Sequence, residues 1–342
     1  MKLGVIADDF TGAVDIAGFL VEGGMQTMMC SMPVDTQDLG SVDAIVMSLK
    51  IRSIPAKHAV KEALNALAFL QQAGCNRFYY KYCSTFDSTK EGNIGPVTDA
   101  LRKALGEKTT LICPALPING RTVFHGYLFV NDDLLNDSAM RHHPLNPMLD
   151  AKLERLIAMQ SSSKCGHIFY NAVAKGVVAV QQKREALENE GVENLIVDVI
   201  DDEDLVTIAE ATKDMRLVTG GSGLAIGMAK VRAKDLGLEP KQKPAFIPKH
   251  DKAVVLAGSC SAMMQKQVEY YRNLAPSLSL DEELCVNDPD YIESVAKWVL
   301  DHQHLGLAPL VYATRSPEQL EKNRKIFSGI DLAKIIEQSF AA

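Results

Sequence analysis

Over roughly its first 220 residues the chain alternates short apolar runs of strand length with longer stretches whose apolar residues recur every three or four positions. This alternation constrains the fold more than any other feature. Parallel strands need a crossover of a dozen or more residues between them, normally a helix, so the pattern predicts a mostly parallel sheet with helices on its faces. Leu3–Ala7, Thr27–Cys30, Ala44–Ser48, Arg77–Lys81 and Thr110–Cys113 read as strands, as do residues 167–169, 195–198 and 216–219. Between them, Ala13, Ile16, Ala17 and Leu20 share one helical face, and Val60, Leu64, Leu67 and Leu70 share another, with Gly23-Gly24 and Gly74 as stops. Helices are also predicted over residues 95–105, 148–159, 173–189 and 202–212. From 114 to 147 the alternation gives way to Pro, Asn, Gly and paired His around one strand pair near 123–130, and long loops of this kind more often carry function than structure.

Pro240, Pro244 and Pro248 then punctuate a stretch with no apolar period, the best candidate for a linker. The predicted organisation is a first domain over 1–235, a linker over 236–252 and a second domain over 253–342, with strands at 253–257 and 310–313 and a helix at Tyr291–His302. A length of 342 residues gives each domain enough chain for a core. The net charge of -7, without a Lys/Arg run, argues against a nucleic-acid partner. Seven cysteines at long irregular spacings, with no C-x-x-C, read as reduced thiols. Asp8 and Asp9 interrupt the N-terminal apolar run, which excludes a signal peptide there, and no stretch reads as a membrane span, so a cytoplasmic protein is expected.

Four constellations carry chemistry. The first is Gly4-Val5-Ile6-Ala7-Asp8-Asp9-Phe10-Thr11-Gly12-Ala13-Val14-Asp15: a strand, an acidic turn and a helix start. Its two carboxylates sit where the strand should end, the edge at which open α/β sheets bind ligands. Helix capping and catalysis explain a lone Asp-Asp pair equally well. The second is Lys81-Tyr82-Cys83-Ser84-Thr85-Phe86-Asp87-Ser88-Thr89 with Gly92-Asn93, where a cation, hydroxyls and a carboxylate follow a strand. These groups suit a polyhydroxylated acid, or else a polar loop bonded to itself. The third and fourth are Pro114-Ala115-Leu116-Pro117-Ile118-Asn119-Gly120-Arg121-Thr122, continuing to His125-Gly126, and Met140-Arg141-His142-His143-Pro144-Leu145-Asn146-Pro147-Met148. Arg121 is a candidate fork for a carboxylate or phosphate, and the adjacent histidines lack the spacing of a helical zinc site. Two further turns, Thr219-Gly220-Gly221-Ser222-Gly223 and Gly258-Ser259-Cys260-Ser261, follow strands and open helices. Each is either a plain connection or an anion site at a helix N-terminus.

Taken in order, these stretches resemble the four-carbon acid sugar kinase family, most closely its 3-oxo-tetronate kinase branch. The resemblance implies an α/β protein of two domains with mostly parallel sheets flanked by helices, an N-terminal substrate domain, a C-terminal nucleotide domain and an active site in the cleft between them. It implies transfer of the ATP γ-phosphoryl group to a terminal hydroxyl of a four-carbon sugar acid, with Mg²⁺ bridging the phosphates and no protein metal ligand assigned. Asp8 or Asp9 is then the expected base. Expected substrate contacts are Thr11, Asp15, Lys50, Arg52, Lys81, Ser84, Thr85, Asp87, Asn93, Asn119, Arg121, His142 and His143. Expected nucleotide contacts are Gly220, Gly221, Ser222, Gly223, Gly258, Ser259, Cys260 and Ser261. Members of the family continue past the equivalent of Ala342 into glycine-rich segments including a G-G-E-T-S-G pattern, so the nucleotide domain is expected to be incomplete here. A homodimer is the candidate assembly. The rival readings are a nicotinamide-dependent dehydrogenase of similar acids, against which stands the lack of G-x-G-x-x-G after the first strand, and a sugar-acid sensor without catalysis.

Overall fold

The computed structural model describes residues 2–35, 39–142, 146–237, 252–303 and 306–341. The chain divides into two compact units, Met1–Lys243 and Pro244–Ala342. The first begins β1(Leu3–Ala7), α1(Phe10–Glu22), β2(Thr27–Cys30), β3(Ala44–Ser48), α2(Ala56–Gln72), β4(Arg77–Lys81), α3(Ile94–Leu105) and β5(Thr110–Cys113). An antiparallel excursion, β6(Arg121–Phe124), β7(Tyr127–Val130) and β8(Asp133–Leu134), follows. The unit then continues through α4(Leu153–Ala158), β9(Cys165–Ile168), α5(Tyr170–Val173), α6(Val177–Asn189), β10(Asn194–Val197), α7(Asp202–Ala211), β11(Leu217–Gly220) and α8(Gly223–Asp235). Eight strands form one parallel sheet in the order β2-β3-β1-β4-β11-β5-β10-β9. Strands covered on both faces read as continuous apolar runs, and every residue of β1, β3 and β5 is buried.

This order places the site. The chain leaves β1 toward β2 in one direction and leaves β4 toward β5 in the other. Right-handed crossovers then put the connecting helices on opposite faces. In agreement, α1 packs on β2 and β3 and meets α8, whereas α2 packs on β1 and meets α3. The ends of β1 and β4 therefore flank a topological switch point. The predicted helix over 173–189 is two helices, because Gly176, with φ of 89°, breaks the chain between α5 and α6.

The second unit holds β12(Val255–Ala257), α9(Ala262–Arg272), β13(Ser277–Ser279), α10(Glu282–Asn287), α11(Tyr291–His302), β14(Leu310–Tyr312), α12(Pro317–Ile326) and α13(Leu332–Ala341). Its parallel sheet runs β12-β14-β13 over two small clusters, one of Leu280, Val295, Val311 and Ala313, the other of Ala257, Val268 and Leu310. Most of the predicted linker, residues 238–251, lies outside the described residues. All seven cysteines are free thiols. Among the described residues, no helix is long and apolar enough to cross a membrane.

Candidate active site

At the end of β1, Asp8 is 1% exposed. Its amide donates to the Lys81 carbonyl at 2.9 Å, and its own carbonyl accepts from Ile51 at 2.9 Å and Arg52 at 3.2 Å, so three strand ends are laced together through one residue. The Arg52 guanidinium grips the Asp8 carboxylate with Nε to Oδ2 and Nη2 to Oδ1 both at 2.8 Å, and Nη2 also reaches Asp9 Oδ1 at 2.7 Å. Burial pushes the Asp8 pKa above its ordinary value, while the hydrogen bond and charge of Arg52 and the charge of Lys81 pull against it. Arg52, expected as a substrate contact, is thus committed to the two aspartates. Asp9 caps α1, its Oδ1 accepting from the Gly12 amide at 2.8 Å. Thr11, on the first turn of α1, is exposed.

Lys81 ends β4 beside Ala7 of β1 and Gly220 of β11. Its buried ammonium donates to the Tyr82 carbonyl at 2.7 Å, one of its three possible donations. Gly12 is small for a reason: a Cβ there would lie 2.5 Å from Asp9 Oδ1 and 2.7 Å from Lys81 Nζ. The Asp9 carboxylate and the Lys81 ammonium therefore crowd the same glycine. Sequence spacing alone does not bring them together.

The segment after β4 is tied down in part by its own groups. Thr85 Oγ1 lies 2.9 Å from Cys83 Sγ, Ser84 is half-buried and Asp87 is buried. Asn93 spends its amide on the carbonyls of Ile51, Arg52 and Ile54, at 2.7, 3.2 and 3.1 Å. Its amide nitrogen therefore supports the loop that carries Arg52. Lys50 is exposed on that loop.

Arg121 begins β6, and its Nη1 donates to the carbonyl of the exposed Asn119. Its Nε is buried without a partner among the described residues. Among those residues no hydrogen bond or ion pair joins Arg121 to Lys81 or Asp8. His142 ends a short 3-10 turn, Ala139–His142, and His143 lies outside the described residues.

The 220–223 turn, expected to hold nucleotide, is buried throughout. Cβ atoms at Gly220, Gly221 and Gly223 would fall 2.1, 2.5 and 2.3 Å from the carbonyl oxygens of Cys113, Pro114 and Ala115. These glycines let the turn after β11 lie flat against the chain leaving β5. Ser222 donates to Asp15 of α1, and Tyr79 donates to the Gly221 carbonyl. Asp15 and Ser222, expected on substrate and nucleotide, are thus bonded to each other.

The 258–261 turn differs. Gly258, Ser259 and Ser261 are exposed. Ser261 caps α9 by accepting from Met264 at 3.2 Å, Cys260 Sγ accepts from the Arg315 amide at 3.3 Å, and Thr314 Oγ1 donates to the Ser259 carbonyl at 2.9 Å. An eleven-residue helix with an exposed N-terminus suits an anion. Among the described residues, no three His, Cys, Asp or Glu side chains gather as a metal site.

One organising residue escaped the sequence reading. Asp198, just past β10, is 1% exposed and accepts from the amides of His125, Gly126 and Tyr170 at 2.8, 2.9 and 2.9 Å. It pins the β6–β7 turn, where His125 adopts φ of 50°. The signal was an acidic residue closing an apolar run, the same signal that marked Asp8.

Residues 3–228 match the model of a sugar-binding N-terminal domain, and residues 254–342 that of a nucleotide-binding C-terminal domain. Over 352 residues the chain is 47% identical to a 3-oxo-tetronate kinase of Pectobacterium atrosepticum, with 100% of this chain and 82% of that protein covered. It is 50% identical over 341 residues to a 3-oxo-tetronate kinase of Haemophilus influenzae, with 99% and 81% covered. A solved structure of a Haemophilus influenzae protein superposes with a TM-score of 0.76 at 47% identity, covering 99% of this chain and 81% of that one. On the fold, the paired domains and these identities across nearly all of this chain, the chain belongs to the 3-oxo-tetronate kinase family.

Proposed function

We propose that this chain, an ATP-dependent sugar-acid kinase, phosphorylates the C4 hydroxyl of 3-oxo-tetronate, with erythronate and threonate as the nearest alternative acceptors. The observation that carries the reading is the meeting of Asp8, Asp9 and Lys81 at the ends of adjacent parallel strands within the sugar-binding match. Phosphoryl transfer depends on positioning and charge neutralisation more than on covalent chemistry by the protein. In this reading the acidic pair orients the acceptor hydroxyl and takes its proton. Lys81 offers its remaining N–H donors to the substrate carboxylate, with Arg121 as a second cation.

ATP is assigned to the 258–261 turn, where the exposed residues Gly258, Ser259 and Ser261 lead into α9. Mg²⁺ commonly binds through nucleotide phosphates with only one or two protein oxygens, so the hydroxyls of Ser259 and Ser261 fit a metal that arrives with the nucleotide. When bound, it neutralises phosphate charge.

The test is ADP release from ATP with a panel of 3-oxo-tetronate, erythronate and threonate, together with phosphorus NMR of the product. A C4 phosphate monoester is expected. ADP release from no member of the panel, or a nicotinamide absorbance change with the same acids, overturns the reading.

A further inference from the structure

We infer that Asp9, and not Asp8, is the group that takes the acceptor proton, and that Arg52, itself held by the buried Asp8, is a positioning residue that aims Asp9 by direct contact. This rests on the reading of the β1 edge as the catalytic edge. The two adjacent carboxylates are held differently. Both oxygens of Asp8 lie in the fork of Arg52, and only 2% of its side chain meets solvent. The Asp9 side chain is 27% exposed. Its Oδ1 is fixed twice, by the Gly12 amide at 2.8 Å and by Arg52 Nη2 at 2.7 Å, while Oδ2 has no partner among the described residues. A carboxylate held through one oxygen keeps its orientation and offers the other to an incoming hydroxyl. The Asp8 oxygens keep spare lone pairs, but with both of them in the Arg52 fork and the side chain almost wholly buried no hydroxyl reaches them, and a base must first lie within hydrogen-bond reach of its proton.

Arg52 is placed to hold this arrangement. Its own amide donates to the Asp8 carbonyl, its carbonyl is held by Asn93, and its side chain returns to both aspartates, so the loop after β3 and the turn after β1 move as one. In the step, the C4 oxygen forms a bond to the γ-phosphorus as the bond to the β–γ bridging oxygen breaks. ADP leaves with that electron pair, and the hydroxyl proton passes to Asp9 Oδ2.

Steady-state kinetics on Asp9→Asn, Asp8→Asn, Arg52→Gln and Arg52→Ala, each confirmed folded by circular dichroism, test this against wild-type turnover. Asp9→Asn is expected to lose ~10²–10⁴-fold in kcat, the usual worth of a general base, and Asp8→Asn substantially less. Arg52→Gln is expected to lose on the order of 10²-fold in kcat with the sugar-acid KM nearly unchanged, as misplacement of a reacting group does. Added guanidinium ion should restore part of the Arg52→Ala loss. A KM rise at constant kcat in the Arg52 variants would mean that Arg52 grips the substrate carboxylate, and an Asp8→Asn loss equal to or larger than that of Asp9→Asn would make Asp8 the base. Either overturns the inference while leaving the kinase reading intact. If Asp8→Asn does not fold, near-normal turnover in Asp9→Asn overturns it alone. Absence of wild-type turnover removes the kinase reading and this assignment together.

Discussion

The 220–223 and 258–261 turns carry the same sequence signature, a parallel strand followed by glycine and serine and then a helix, yet the structure uses them in opposite ways. In the first, three glycines lie against three successive carbonyls and the serine is spent on Asp15. In the second, a Cβ at Gly258 would meet only the Phe340 ring among the described residues, at 3.2 Å, and the serines are exposed. A glycine in such a turn therefore has two separable meanings: close approach of protein backbone, or close approach of a ligand. Neighbouring strands decide which. The turn after β11 is enclosed between β4 and β5 in a sheet of eight, whereas β12 is the edge strand of a sheet of three.

The comparison breaks most sharply at Gly220. Gly220→Ala places a Cβ 2.1 Å from a carbonyl oxygen that cannot move alone, so a loss of about 3 kcal/mol or more is expected in urea unfolding, at or beyond the upper end of ordinary overpacking. A variant of wild-type stability with a raised KM for ATP would instead make this turn a nucleotide site. Ser259→Asp should do the reverse: a carboxylate facing the phosphates raises the KM for ATP by roughly tenfold, while the exposed position leaves stability within ~0.5 kcal/mol. An unchanged KM for ATP would remove the second turn from the nucleotide site.

The smallest effect concerns pH, and it separates a buried strand end from an exposed one. The Asp8 pKa is raised in the folded chain, so the native state holds that proton more tightly than the unfolded state does. The stability this provides is fully present below about pH 4, near the unfolded pKa, and is lost as pH rises through the folded value. Asp8→Asn has no proton to lose, so its melting temperature relative to wild type should climb between pH 4 and pH 7. A difference that stays flat or falls over that range would mean that Arg52 and Lys81 outweigh the cost of burial at this strand end.

Much of the architecture was legible because it depends on local signals. Short runs alternating with helical periods marked all eight strands of the large sheet, and the position of Asp8 and Asp9 at a strand end followed from β1 alone. The short elements of the second unit, such as β13 and α10, were not read, since three to six residues carry too little period to register. The site was less legible. Lys81, Asp9 and Gly12 converge only because β4 pairs with β1, and no local pattern encodes which strands pair. Arg52, expected on the substrate, lies beside both aspartates only because the sheet order β3-β1-β4 sets it there.

The sequence by itself determined the alternating α/β pattern, the acidic turn after the first strand, the cationic end of β4 and the likeness to acid-sugar kinases, because each is written in residues close together along the chain. Only the tertiary structure decided which of two like turns is packed against backbone and which stays exposed, which aspartate keeps an oxygen free, and that Arg52 lies against the aspartates. Those outcomes depend on burial and on partners tens to hundreds of residues away, and a carboxylate's reach is set by what already occupies its oxygens.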